Sequence, residues 1–256
     1  MISELPVKKI EKFVKNETKH TESVIHDFSH LKRTAIGARW FVKIMDGNKH
    51  DQYLAYIAGL LHDIVRPPFE EICHAKASSE KSREILNRFD ISNEDRERII
   101  EAVSCHRTRH EWKDALHQSV FLADKILEQM GAMIVFRRCM YIGECKDYLG
   151  KTSIQSIIIQ SRNKLKKFTP CEFNKIFLRL ARAQYKWPHD FTKALKEKKQ
   201  WALDIGMYFF KAGRDKKDFE KTVFGYKPQI KEQKQIHKQA VLYLKSRKFK
   251  DFEKLI

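Results

Sequence analysis

The chain has 256 residues, a net charge of +18 and only nine Gly and six Pro. That length holds one large or two modest domains and buries a core without covalent staples. Five cysteines, Cys73, Cys105, Cys139, Cys145 and Cys171, form no C-x-x-C pair. This argues against a disulfide framework or a Cys-rich zinc site and for reduced thiols in a cytoplasmic protein. No apolar stretch follows the first Met, and the longest aliphatic run, Ile157-Ile158-Ile159, is far too short to span a bilayer.

Helices are predicted near 4–18, 23–46, 50–62, 75–89, 93–109, 114–130 and 132–148, and further on near 152–166, 170–185, 189–211 and 231–248. The stretch 212–229 holds two Gly and a Pro and reads as a loop. No run of alternating β-branched residues appears, so the predicted fold class is all-α. Gly150 and a shift in charge divide the chain into 1–150 and 151–256. The first part holds 24 Lys and Arg against 23 Asp and Glu, the second 27 against 10, so +1 is followed by +17. Ile154, Ile157 and Ile158 at helical spacing allow the second part to be a helical extension of the first as readily as a subdomain. Its charge favours a polyanionic partner: nucleotides, nucleic acid or an acidic membrane surface.

In chain order, the first chemistry-bearing group is HDFSHLKR. His26, His30 and Arg33 share one helical face there, a stripe suited to a cation carrying an anionic ligand. Next, His62 and Asp63 follow YLAYIAGLL, an apolar stretch that reads as a buried helix, and Pro67 and Pro68 then stop any helix. An ionised Asp in that setting is expensive unless paired or coordinated. Taken alone, the pair also reads as a helix end with a hydrogen-bonded His and a capping Asp. His74 and His106 come next, each preceded by a Cys that points about 100° away on a helix. Asp124 sits in SVFLADKILEQMG, where a carboxylate is either a ligand or a buried ion-pair partner.

The order His, His-Asp, Asp, with the contexts HDFSHLKR, AGLLHDI and LADKI, resembles the HD-domain superfamily of metal-dependent phosphohydrolases over roughly residues 20–150. The resemblance implies an all-helical HD-domain bundle, followed here by the basic C-terminal region. It implies that His30, His62, Asp63 and Asp124 hold one metal. Members with two metals add two histidines, for which His74 and His106 are suitably placed; His110 and His117 are alternatives to His106. Asp63 would then bridge the ions. Arg66 stands where many members have a Lys, which keeps the cation but changes its shape.

Mixed imidazole and carboxylate donors suit Mn, Fe, Ni, Co or Zn better than Mg, though Mg is not excluded by them. Such an ion polarises a phosphoryl oxygen and lowers the pKa of its water from ~16 towards ~7. Asp63 and Arg66 are the candidate catalytic residues; Arg33, Arg66 and Lys125 are the candidate phosphate contacts. The expected activity is hydrolysis of phosphate esters or anhydrides of a nucleotide-type substrate. The alternatives are a nuclease acting on single-stranded nucleic acid and a binding module using the basic region. Two lysine clusters, Lys164, Lys166, Lys167 and Lys196, Lys198, Lys199, and interleaved aromatics such as Tyr208, Phe224 and Tyr226 would serve a strand. Trp201, Ile205 and Phe209 follow helical spacing and read as core.

Overall fold

Apolar patterning at a helical period, with few glycines and prolines, gives a chain in which every regular element among the described residues is a helix. The computed structural model describes residues 5–21, 23–66, 73–107, 112–129, 131–145, 153–167, 175–246, 251 and 254. The sequence readings at Pro67, Pro68, His110, Gly150 and Cys171, and at the side chains of Lys164, Lys166 and Lys167, lie outside what is described. Two units are formed: Met1–Thr21 with His26–Leu127, and Glu22–Ile25 with Glu128–Ile256. This division falls ahead of the charge change at residue 150. No described helix is long and apolar enough to cross a membrane.

The first unit contains α1 (Val7–Glu17), α2 (Phe28–Ile44), α3 (Lys49–Leu61), α4 (His74–Leu86), α5 (Asn93–Cys105) and α6 (Ala115–Leu122). Four of these helices start on a side chain that accepts an otherwise unpaired backbone N–H: Asp27, Asn48, Ser92 and Asp114. At α5 the cap is one-sided. Ser92 accepts from Asp95 N, while the Asp95 carboxylate pairs with His50 at 2.8 Å instead of turning back. From Leu54 to Leu61 every residue of α3 is buried, as an all-round apolar sequence requires. It packs on α2 at Gly59, where a Cβ would stand 2.5 Å from Ala35 Cα. Only a glycine lets the two backbones come this close.

The second unit contains α7 (Gly131–Glu144), α8 (Ser153–Lys167), α9 (Lys175–Lys196), α10 (Gln200–Arg214), α11 (Phe219–Gly225) and α12 (Lys231–Lys245). α7 and α10 cross at Gly143 and Gly213, where a Cβ on either would stand 2.0 Å from a carbonyl oxygen of the other helix. The segment 22–25 is sewn to α7. Arg137, fully buried, donates from Nε (3.2 Å) and Nη2 (2.9 Å) to Ile25 O, and Val24 N donates to Glu144 at 3.2 Å. Arg137 also pairs with buried Glu128 at 3.6 Å, and Tyr243 of α12 donates to the same carboxylate.

Three sequence expectations fail in this unit. A break was expected between 185 and 189, but α9 runs through Pro188. The buried stripe of Leu180, Ala181, Phe191, Ala194 and Leu195 continues on both sides of the proline. Its burial outweighs a helix-interior proline, which costs about 3 kcal/mol. One helix was expected over 189–211, but the chain breaks at Lys198, whose φ of 54° is left-handed. Lys198 N and Lys199 N close the end of α9 on Leu195 O and Ala194 O. Such a position usually carries Gly, so a Lys gave no signal. Finally, α11 lies inside the expected loop 212–229. Asp218 caps it, accepting from Lys221 N at 2.8 Å, and Phe219 and Val223 are buried.

Candidate metal centre

Five helix ends of the first unit meet at one buried cluster of imidazoles and carboxylates. His30 sits in the first turn of α2, behind the Asp27 cap. His62 and His106 are the C-cap residues of α3 and α5, and His74 opens α4. Asp124 follows α6, in a π-helical segment, Ala123–Glu128. Single π turns inside helices occur frequently at functional sites.

The helix ends orient the ligands. The last carbonyls of a helix lack an intrahelical partner. His62 Nδ1 takes up Gly59 O at 2.8 Å, and His106 Nδ1 takes up Val103 O at 2.6 Å. Each carbonyl accepts, so the Nδ1 atoms carry the protons and each Nε2 presents a lone pair to the cluster. This is how metal-binding imidazoles are held: the second nitrogen donates to a backbone carbonyl or carboxylate. His106 Nε2 is buried without a hydrogen bond.

Asp63 is the hub. Its Oδ2 lies 3.6 Å from His30 Nε2 and 3.6 Å from His62 Nε2. Its Oδ1 lies 3.5 Å from His74 Nε2 and 3.4 Å from His106 Nε2. Donor atoms of His30, His62 and Asp124 lie within 4.8 Å of one another, as do those of His62, Asp63 and His106. His30, His62, Asp63, His106 and Asp124 are all buried, whereas His74 keeps 21 % of its side chain exposed and marks the open side. The donor set therefore fits a divalent cation. It comprises imidazole nitrogens, of which His106 Nε2 is buried without a hydrogen bond, and two carboxylates in a buried place.

Burial pushes His62 down to about 3 and His74 down to about 4, so both are neutral at pH 7. Burial opposes ionisation of Asp63, but the charge of the Arg66 guanidinium beside it and a hydrogen bond from the His30 ring reverse this and hold it well below the usual carboxylate range. Asp124 is likewise opposed by burial and held low by the charge of Lys125.

Cations line the margin. Arg66 Nη1 lies 3.3 Å from Asp63, and its Nη2 meets His26 Nε2 at 2.7 Å. Lys125 Nζ lies 2.5 Å from Asp124 Oδ2. Arg33 is buried in α2, one turn beyond His30. His117, the alternative to His106, is occupied elsewhere: its Nδ1 accepts from Lys113 N at 3.1 Å, and its ring meets Trp112 edge-on. The carbonyl partners Gly59 and Val103 were missed by sequence reasoning. Their signal is a His directly after a helix, three residues past the carbonyl it takes up.

Residues 27–128 of the chain match the family model described as HD domain. All six clustered residues fall within that segment. This match and the clustered donors define the class, a metal-dependent phosphohydrolase. Among solved structures, the chain is similar to Bacillus subtilis YpgQ, a structure in complex with ADP. The TM-score is 0.56 at 18% identity, covering 77% of this chain and 99% of that one. It is also similar to a predicted HD superfamily hydrolase from an uncultured Thermotogales bacterium, with a TM-score of 0.50 at 19% identity, covering 75% and 91%. At these identities the likeness is one of fold. A comparison with curated proteins finds no match.

Proposed function

We propose that the protein hydrolyses phosphate esters or anhydrides of a nucleotide-type substrate, using one or two divalent transition-metal ions held by His30, His62, Asp63, His74, His106 and Asp124. The observation that carries this reading is the carboxylate of Asp63, each oxygen of which is faced by two imidazoles. When bound, a divalent ion supplies a Lewis acid and water acidified towards neutrality. The ADP bound to the YpgQ structure supports a nucleotide as the substrate class.

The protein's own groups divide the remaining work. Asp63 and Asp124 stay ionised, and the neutral imidazoles keep lone pairs available without adding charge. Arg66 and Lys125, partly exposed at the margin, are the proposed phosphate contacts, with Arg33 behind them. A guanidinium does not give up its proton near neutrality, so Arg66 orients and stabilises phosphoryl oxygens and protonates nothing. His26 holds Arg66 in place.

A second reading, cleavage of single-stranded nucleic acid, is favoured by one observation: the +17 of residues 151–256 lies within the second unit. Elemental analysis of the purified protein, paired with hydrolysis assays on nucleoside triphosphates, dinucleotides and single strands, tests both. A protein that holds no divalent ion and hydrolyses none of these sinks the proposal. Cleavage of strands alone replaces the first reading with the second.

A further inference from the structure

Three large apolar side chains are exposed among the described residues, and all three belong to α10–α12: Tyr208 at 44 %, Phe224 at 41 % and Ile230 at 45 %. Tyr208 is backed by buried rings, with Tyr226 5.0 Å and Phe209 5.2 Å from its centroid. It is thus supported from within while nearly half of its surface stays open. Phe224 lies in the last turn of α11, two residues before Tyr226, and Ile230 immediately precedes α12. His237 of α12 bonds Val223 O of α11 at 2.8 Å, which joins the two helices at this place.

A stripe of cations starts at the same point. Lys231, Lys234, Lys238 and Lys245 of α12 are exposed. They are spaced i, i+3, i+7 and i+14, so they lie on one face of a helix roughly 21 Å long. The opposite face buries Ile236, Ala240, Tyr243 and Leu244. Residues 199–245 hold eleven Lys and Arg against five Asp and Glu. Single exposed apolar residues are ordinary on protein surfaces. Open rings beside a one-signed stripe are a more specific combination.

The charge calls for a polyanion, and the rings decide which kind. A duplex keeps its bases stacked inside and offers nothing to Tyr208 or Phe224. A single strand offers both phosphates and free base faces, and every base has a face on which a ring can stack. We propose that the α10–α12 face binds single-stranded nucleic acid, with Tyr208 and Phe224 stacking on bases and the α12 lysines neutralising phosphates. This goes beyond the hydrolase reading and does not depend on it.

The test titrates the full-length protein into a labelled oligothymidylate with phosphorothioate links and follows anisotropy over a range of salt. Tyr208→Leu and Phe224→Leu keep apolar bulk and should each weaken the strand complex about tenfold, while Tyr208→Phe stays near wild type. Exchanging the four lysines for Gln should flatten the log–log salt dependence by about 3, at about 0.7 per phosphate neutralised. Thermal melting checks that each variant is folded. Leucine variants that bind as tightly as wild type overturn the proposal, as does a salt slope unchanged by the lysine exchange. Wild-type protein that binds phosphatidylserine vesicles but no strand overturns it in favour of a membrane surface. Self-association lost in Phe224→Leu, again without strand binding, overturns it in favour of a second copy. Hydrolysis of a small phosphodiester is read in parallel, so failure of this surface is distinguished from failure of the hydrolase reading.

Discussion

The Nε2 atoms of His30 and His62 lie 3.2 Å apart in a fully buried place. His62 Nδ1 already donates to Gly59 O, so its Nε2 has only a lone pair to offer. Without a cation the contact requires His30 to carry its proton on Nε2. A cation bound by both nitrogens needs a lone pair at His30 Nε2, so metal uptake moves that proton to Nδ1, a change of tautomer in a neutral ring.

Among the described residues, no carboxylate other than Asp63 is placed against both imidazole pairs. Asp63→Ala is expected to remove most bound metal and to lower hydrolysis by more than about 100-fold, beyond what loss of an outer-shell partner costs. Elemental analysis and initial rates measure this, with circular dichroism checking that the helices persist. Retained metal and activity would show that the pair is structural.

His74 and His106 face the other carboxylate oxygen. His74→Ala and His106→Ala should each lower metal content from about two ions per chain towards one, with His30 and His62 keeping the first. Stoichiometry by elemental analysis decides. A wild-type content of one ion assigns these two histidines to structure or substrate contact.

Gly59 sets the approach of α3 to α2. In Gly59→Ala the new Cβ would meet Ala35 Cα at 2.5 Å, so the helices must part. A loss of about 1–3 kcal/mol in urea unfolding is expected, as for overpacked cores. His62 would also move away from His30, so metal affinity should fall in isothermal titration although no ligand is changed. Wild-type affinity in this variant would show that the cluster tolerates the shift.

The metal-free protein should lose stability as pH falls. His62 titrates near 3 when folded and His74 near 4, whereas the unfolded value of each is 6.5. Below pH 6.5 the unfolded chain takes up protons that the folded cluster refuses, so unfolding is favoured progressively down towards those lower values. Between pH 6.5 and 5 the slope should approach about 1.4 kcal/mol per pH unit for His62 and less for the partly exposed His74. Urea unfolding across this window, with His62→Gln as control, reads the effect. An equal slope in the control assigns it to other groups.

The residues by themselves determined the helical class and the six clustered side chains, because helical periodicity and chemical type are properties of the chain. The all-round apolar run before His62 foretold a buried helix delivering that pair, and α3 is buried from Leu54 to Leu61. Tertiary structure decided what depends on distance and on competing burial. It brought His106 to the cluster and gave His117 to Lys113 N, a choice that residue type and spacing left open. It carried α9 through Pro188 because a buried stripe on both sides outweighs the local penalty, and it broke the next helix at Lys198, a residue with no turn signature of its own. It also split the aromatics of the basic region into those that hold the core, Phe209 and Tyr226, and those left open, Tyr208 and Phe224. The identity of a side chain sets what chemistry it can do; whether water or protein surrounds it is set by every helix packed around it.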